Sequence, residues 1–139
     1  VWDHLHQKTK PTYLNDVDVI YFDANESNVN AYLAFEAQLS ALMPELNWQV
    51  RNQARMNARN GDEPYVSSVD AMSYWPEKET AVGIRKLGNQ GYECVSAFGL
   101  DSLFELKLSH NPKRSKALFE YRVDSKAWLV CWPNLTLVS

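Results

Sequence analysis

The strongest pattern of apolar and polar positions in this chain is the run formed by Val17, Val19, Ile20, Tyr21 and Phe22, set between two polar turns. β-Branched and aromatic residues favour extended backbone, and a nearly continuous apolar run predicts a strand interior to a sheet and covered on both faces. Residues 28–43 follow, with Val29, Leu33, Phe35, Leu39, Leu42 and Met43 at helical spacing. This predicts a helix capped by Asn28 and stopped by Pro44. Trp48 and Val50 then alternate with Gln49 and Arg51, which predicts a second strand over 47–52. Strand, helix and strand in so short a span predict a parallel pairing.

The flanking chain is patterned in shorter pieces. Val1, Trp2 and Leu5 predict a helix ending near Gln7, with Pro11 in the loop beyond it. Residues 67–75 predict a short helix, with Ser67 and Asp70 as a capping box. The segments 80–87 and 92–98 flank Gly88 and Gly91 and predict a β-hairpin. A short helix over 99–106 and a longer one from Pro112 to Lys126 complete the pattern, and the apolar tail from Ala127 is expected to dock on the core.

Composition narrows the class. With 139 residues, 45% hydrophobic and 22% charged, the chain reads as a single domain over residues 1–139 able to bury a real core. A net charge of −3 argues against a general nucleic-acid coat or a membrane-surface protein. No apolar run reaches the length of a membrane span. Cys94 and Cys131 lie in apolar contexts without CxxC spacing, so they read as buried thiols of a reducing cytoplasm. His4 and His6 would point to different faces of a helix, which does not suit a metal pair. The chain opens at Val1 on what reads as the middle of an amphipathic helix, so an upstream segment is expected.

The candidate chemistry lies at the mouth of the first strand. Asp16 and Asp18 are two apart, so an extended backbone points both carboxylates to one side, about 6–7 Å apart at the backbone. Paired carboxylates on a rigid element suit Mg²⁺, which takes a few carboxylates together with phosphate oxygens and water. The plain structural alternative is that Asp16 caps its turn through Asn15 while Asp18 pairs with a Lys or Arg. Arg55 and Arg59, four apart, could share a helical face towards phosphate or belong to a solvated connector. The cluster Lys113, Arg114 and Lys116 could meet phosphate or an acidic partner, or be a solvated face. No Walker loop, dinucleotide fingerprint or GxSxG motif is present.

Several strings carry a resemblance: Val1–Leu5, Asn15–Asp23, Asn52–Met56, Asp70–Pro76, Thr80–Arg85 and Phe98–Asp101. Together they resemble the polymerase-β-like nucleotidyltransferase superfamily, and within it a small bacterial group known as nucleotidyltransferase family proteins. The resemblance implies an α+β (α/β-like) nucleotidyltransferase fold, a mixed sheet with flanking helices, here N-terminally incomplete. It also implies a glycine-rich phosphate turn, which would lie upstream of Val1, and a pair of carboxylates matched by Asp16 and Asp18. A third carboxylate would be expected on the neighbouring strand, which reads Trp48 to Asn52 without an acid, so that Asn52 or Gln49 would stand in.

The function implied is a metal-dependent nucleotidyltransferase moving a nucleoside monophosphate from NTP to a hydroxyl acceptor. Asp16 and Asp18 would hold Mg²⁺ or Mn²⁺, and Asn52, Arg55 and Arg85 would position phosphate or acceptor. The alternative, motivated by the missing third acid, is a catalytically inactive fold of this kind that binds a nucleotide or a protein. A third reading takes Asp16 and Asp18 as the Asp-x-Asp of a nucleotide-sugar glycosyltransferase, for which the chain is short.

Overall fold

The computed structural model describes residues 1–139. Its first half carries α1 (Trp2–Leu5), β1 (Val17–Tyr21), α2 (Ala31–Leu42), β2 (Trp48–Asn52), a 3₁₀ turn (Gln53–Arg55), α3 (Met56–Asn60) and α4 (Ser68–Met72). The second half carries β3 (Val82–Lys86), β4 (Tyr92–Ser96), α5 (Asp101–Phe104), β5 (Lys107–Ser109), α6 (Lys116–Ser125), α7 (Trp128–Cys131) and β6 (Thr136–Val138). The chain forms two compact units, one of Tyr13–Ala71 and one of Val1–Thr12 with Met72–Ser139.

In the Tyr13–Ala71 unit, β1 and β2 pair in parallel, from Val17 opposite Trp48 to Tyr21 opposite Asn52. The crossover is α2, as parallel pairing requires. Glu36 of α2 binds it to the strand: its Oε2 accepts from Val50 N at 3.0 Å and from Arg51 Nη1 at 2.9 Å. Phe35 meets Tyr21 edge-on with ring centroids 5.5 Å apart, and Val50 is fully buried. α3 ends at Gly61, whose φ of 73° is the left-handed conformation that glycine adopts without penalty. The Ser67 cap forms, with Asp70 N donating to Ser67 Oγ at 3.0 Å, while Asp70 Oδ2 accepts from Val66 N at 2.9 Å, one residue before the cap.

Three expectations for this unit are corrected. β1 is not interior to a sheet: it pairs with β2 alone, and none of its residues is fully buried. A continuous apolar run marked a strand but could not say that neighbours would cover both faces. The helix begins at Ala31, not 28; Asn28 instead accepts from Asn30 N in the turn before it. Most of the apolar positions assigned to α2 stay exposed, among them Leu33, Phe35 and Leu42, because the helix is held to β2 through Glu36 as well as through packing.

The second unit has its core in Leu108, Phe119, Val123 and Leu135, with Trp2, Leu106, Trp128 and Trp132 packed against them. β3 and β4 form the antiparallel hairpin, and β5 and β6 a short parallel pair. The N-terminal turn is drawn in by tryptophans: Trp2 Nε1 donates to Leu103 O at 3.1 Å, and Trp2 meets Trp132 at 5.2 Å between ring centroids. Asp3 accepts from Thr12 N and from Trp132 Nε1, both at 2.7 Å, and also from the Thr12 hydroxyl. These bonds hold its carboxyl well below the usual carboxylate range. Under the core, Glu77 is fully buried and pairs with Arg122 at 2.5 Å, while Glu79 accepts from both N and Oγ of Ser109.

The sheet is thus divided into three two-stranded pairs within a mixed α+β fold. Two further expectations change. α6 starts at Lys116 with Ser115 as its cap, so Pro112 to Arg114 lie in the preceding loop. Ser115 Oγ accepts from Leu118 N, and that bond fixes the start where Pro112 alone could not. Neither cysteine is fully buried, and Cys94 is exposed on β4. A strand at the edge of a two-stranded hairpin has no second layer to bury it.

Candidate functional site

Asp16 immediately precedes β1 and Asp18 is its second residue. Val17 N donates to Asn47 O at 2.8 Å, which locks the strand entry between the two carboxylates. Alternation then puts Asp16, Asp18 and Ile20 on one side, and Val17, Val19 and Tyr21 on the other. The register sets Gln49 beside Asp18, and register partners share a face. Gln49 Nε2 donates to Asp16 Oδ2 at 3.4 Å, a long bond that brings these two side chains together. Asp18 is exposed, while Asp16 and Gln49 are half-buried.

No group of three or more His, Cys, Asp or Glu side chains gathers in a geometry able to hold a metal. Carboxylate oxygens are the hard donors that Mg²⁺ or Mn²⁺ takes, and this side of the strand pair carries two of those groups.

At the far end of the same strand pair sits a second polar cluster. Asn52 is buried opposite Tyr21. Its Oδ1 accepts from Asp23 N at 3.0 Å and Ala54 N at 3.1 Å, while Nδ2 donates to Asp23 O at 2.9 Å and to Glu26 Oε1 at 3.2 Å. The Tyr21 hydroxyl donates to Glu26 Oε2 at 2.5 Å. Arg55 Nε lies 3.5 Å from Glu26 Oε1, and the same guanidinium donates to the Glu26 carbonyl. Burial, the bond to Glu26 and the nearby Glu26 and Asp23 charges push the Tyr21 phenol up to about 12. The Tyr21 bond, with help from Asn52 and Arg55, lowers Glu26 from its ordinary value.

Asn52 and Arg55 are thus brought together, but around Glu26 rather than beside Asp16 and Asp18; from Asp18 to Tyr21 the strand rises about 10 Å. Arg85 lies on β3 and pairs across the hairpin with Glu93, Nη2 to Oε2 at 2.9 Å. Glu26 and Tyr21 escaped the sequence reading, because nothing in their spacing distinguishes a partnered glutamate from any other turn residue. The basic cluster is ordered by buried Asn111, whose Nδ2 donates to Ser73 O and Trp75 O at 2.7 and 2.8 Å. Lys113 Nζ and the Arg114 guanidinium stand over the Tyr74 ring at 4.2 and 5.4 Å.

The first unit is thus a parallel strand–helix–strand unit with two carboxylates at the entry of its first strand. The model of a family described as Nucleotidyltransferase matches residues 1–137, and the chain belongs to this family. A solved structure, determined by NMR and described as revealing a CCA-adding enzyme head domain, is similar at a TM-score of 0.80 and 30% sequence identity. The similarity covers 98% of this chain and 74% of that one. No curated protein matches. Fold and family together support a general nucleotidyltransfer function. No helix is long and apolar enough to cross a membrane.

Proposed function

We propose that the chain transfers a nucleoside monophosphate from an NTP to a hydroxyl acceptor, with Asp16 and Asp18 as the ligands of Mg²⁺ or Mn²⁺. The observation that carries the reading is the common side of Asp16, Asp18 and Gln49, fixed by the Asp18–Gln49 register and the Asp16–Gln49 bond. In the reaction the acceptor oxygen forms a bond to the α-phosphorus, the bond to the bridging oxygen of the β-phosphate breaks, and pyrophosphate leaves. When bound, the cation neutralises phosphate charge and lowers the pKa of the attacking hydroxyl. Asp16 and Asp18 stand at a fixed place on the strand entry, and Asp18 is exposed to solvent. Arg55 is the candidate for phosphate contact within this unit, since it is paired to one glutamate and keeps guanidinium N–H groups to spare, while Arg85 belongs to the other unit and is left out of the reading. Asn52 serves the site indirectly by holding the end of β2.

The test is calorimetric titration of NTP in the presence of Mg²⁺, alongside pyrophosphate release over a panel of hydroxyl acceptors. Mg²⁺-dependent binding that disappears in Asp16→Asn and Asp18→Asn is the expected result; NTP binding indifferent to both substitutions would overturn it. The neutral Gln49 favours a second reading, a fold that binds nucleotide without turnover, and pyrophosphate release above background would sink that one.

A further inference from the structure

His6 engages both ring nitrogens with backbone groups, one 4 residues before it and one 128 residues after it. Nε2 lies 3.0 Å from the backbone N of Asn134, which carries the hydrogen, so Nε2 is the acceptor. The ring proton therefore sits on Nδ1, which donates to Trp2 O at 2.8 Å. His110 provides the contrast. Its Nε2 faces the Arg114 carbonyl at 2.7 Å, so it donates, and a second ring proton leaves that bond intact. We propose that His6 is a proton-operated latch between α1 and the turn leading into β6, closed when the ring is neutral and open when it is protonated.

Both sides of the latch belong to one compact unit, and α1 is also fastened to the same turn through Asp3. There the carboxylate accepts from Trp132 Nε1 at 2.7 Å and keeps its charge far below neutral pH. Protonating His6 turns an N–H towards the Asn134 N–H, two donors without an acceptor, while the Asp3 end stays fastened. Histidine is the side chain that ordinarily gains a proton between pH 8 and pH 5. The titratable groups around it are Asp3, His4 and Lys8 on its own segment, and Asp101 and Glu105 at α5, which Trp2 binds through Leu103 O. Glu105 is paired with Lys107, and residues 132–135 bring no titratable group. β6 begins two residues beyond Asn134, is exposed along its length, and is held at its start by Thr136 N donating to Leu106 O at 2.8 Å. Opening the latch therefore loosens the start of β6 against β5 and leaves Leu135 in the core.

The test is NMR of the full chain from pH 8 to pH 5, reading the His6 ring nitrogens, the Asn134 amide and hydrogen exchange at the Thr136 amide. Neutral His6 should be the Nδ1–H tautomer, and the Asn134 amide proton should move upfield as the ring takes up its proton. Protection of the Thr136 amide, corrected for the intrinsic rate, should fall about fivefold over the range, as the loss of one net hydrogen bond implies. In His6→Gln the amide oxygen can accept from Asn134 N at every pH, so both changes should disappear. In His6→Ala the Asn134 amide should stand at its low-pH position throughout, and if that variant folds poorly His6→Gln still decides. A neutral ring carrying its proton on Nε2, or an Asn134 amide indifferent to the His6 titration, would overturn the proposal. So would Thr136 protection that falls equally in His6→Gln.

Discussion

Asn52 Nδ2 lies 3.2 Å from Glu26 Oε1, joining the last residue of β2 to a turn 26 positions earlier in the chain. The same amide closes two hydrogen bonds with the backbone of Asp23 and one with Ala54 N. One buried side chain therefore fixes how the chain leaves β1 and how it leaves β2. A loss of about 1–3 kcal/mol is expected for Asn52→Ala, since buried backbone donors lose their acceptor. Urea unfolding measures it, and an unchanged midpoint would mean that water replaces the amide at no cost.

The Tyr21–Glu26 pair gives the stability two pH limits. The Glu26 carboxyl is lowered in the folded chain, so its contribution is present above the ordinary glutamate value and is lost as pH falls through the folded value. The Tyr21 phenol is raised to about 12, so its contribution is full below its ordinary value of 10.0 and is lost as pH rises towards 12. Phenolate absorbance should show a late-titrating component for Tyr21, which moves towards 10 in Glu26→Gln and is absent in Tyr21→Phe.

Asp16→Asn and Asp18→Asn should separate binding from folding. Asp18 is exposed and Asp16 half-buried, so each substitution should move stability by no more than about 1 kcal/mol while cation-dependent NTP binding is lost. Thermal melts run beside the titrations check this, and a large drop in melting temperature would assign the carboxylates a structural task instead.

The core of the second unit should respond in the opposite way. Phe119 is buried among Leu108, Val123 and Leu135, so Phe119→Ala should cost about 3–5 kcal/mol through the cavity it leaves. Arg122→Ala should cost about 3 kcal/mol, because it strands the Glu77 carboxylate, which is fully buried. Denaturant titration reads both, and Arg122→Ala unfolding like wild type would show that Glu77 finds another partner.

Residue type and spacing within short windows were enough for β1, β2, the hairpin and the Ser67–Asp70 cap, since period-two and period-3.6 patterns act locally. Asp16 and Asp18 were legible for the same reason: alternation along one strand needs no partner. The number of neighbours around β1, the exposure of Leu33 and Leu42 on α2 and the open position of Cys94 depend on what packs against each element. Apolar character alone does not specify that.

By itself the sequence determined a strand–helix–strand unit and two acids at its mouth; through strings spread over the chain it also pointed to the nucleotidyltransferase family. Only the tertiary structure decided which amide stands beside those acids. Gln49 and Asn52 both lie on the second strand, and the register sets Gln49 against Asp18 while sending Asn52 to Tyr21 and Glu26. The physical reason is that register is a relation between two strands, fixed here by the burial of Val50 and its tie to Glu36, and neither strand carries it alone.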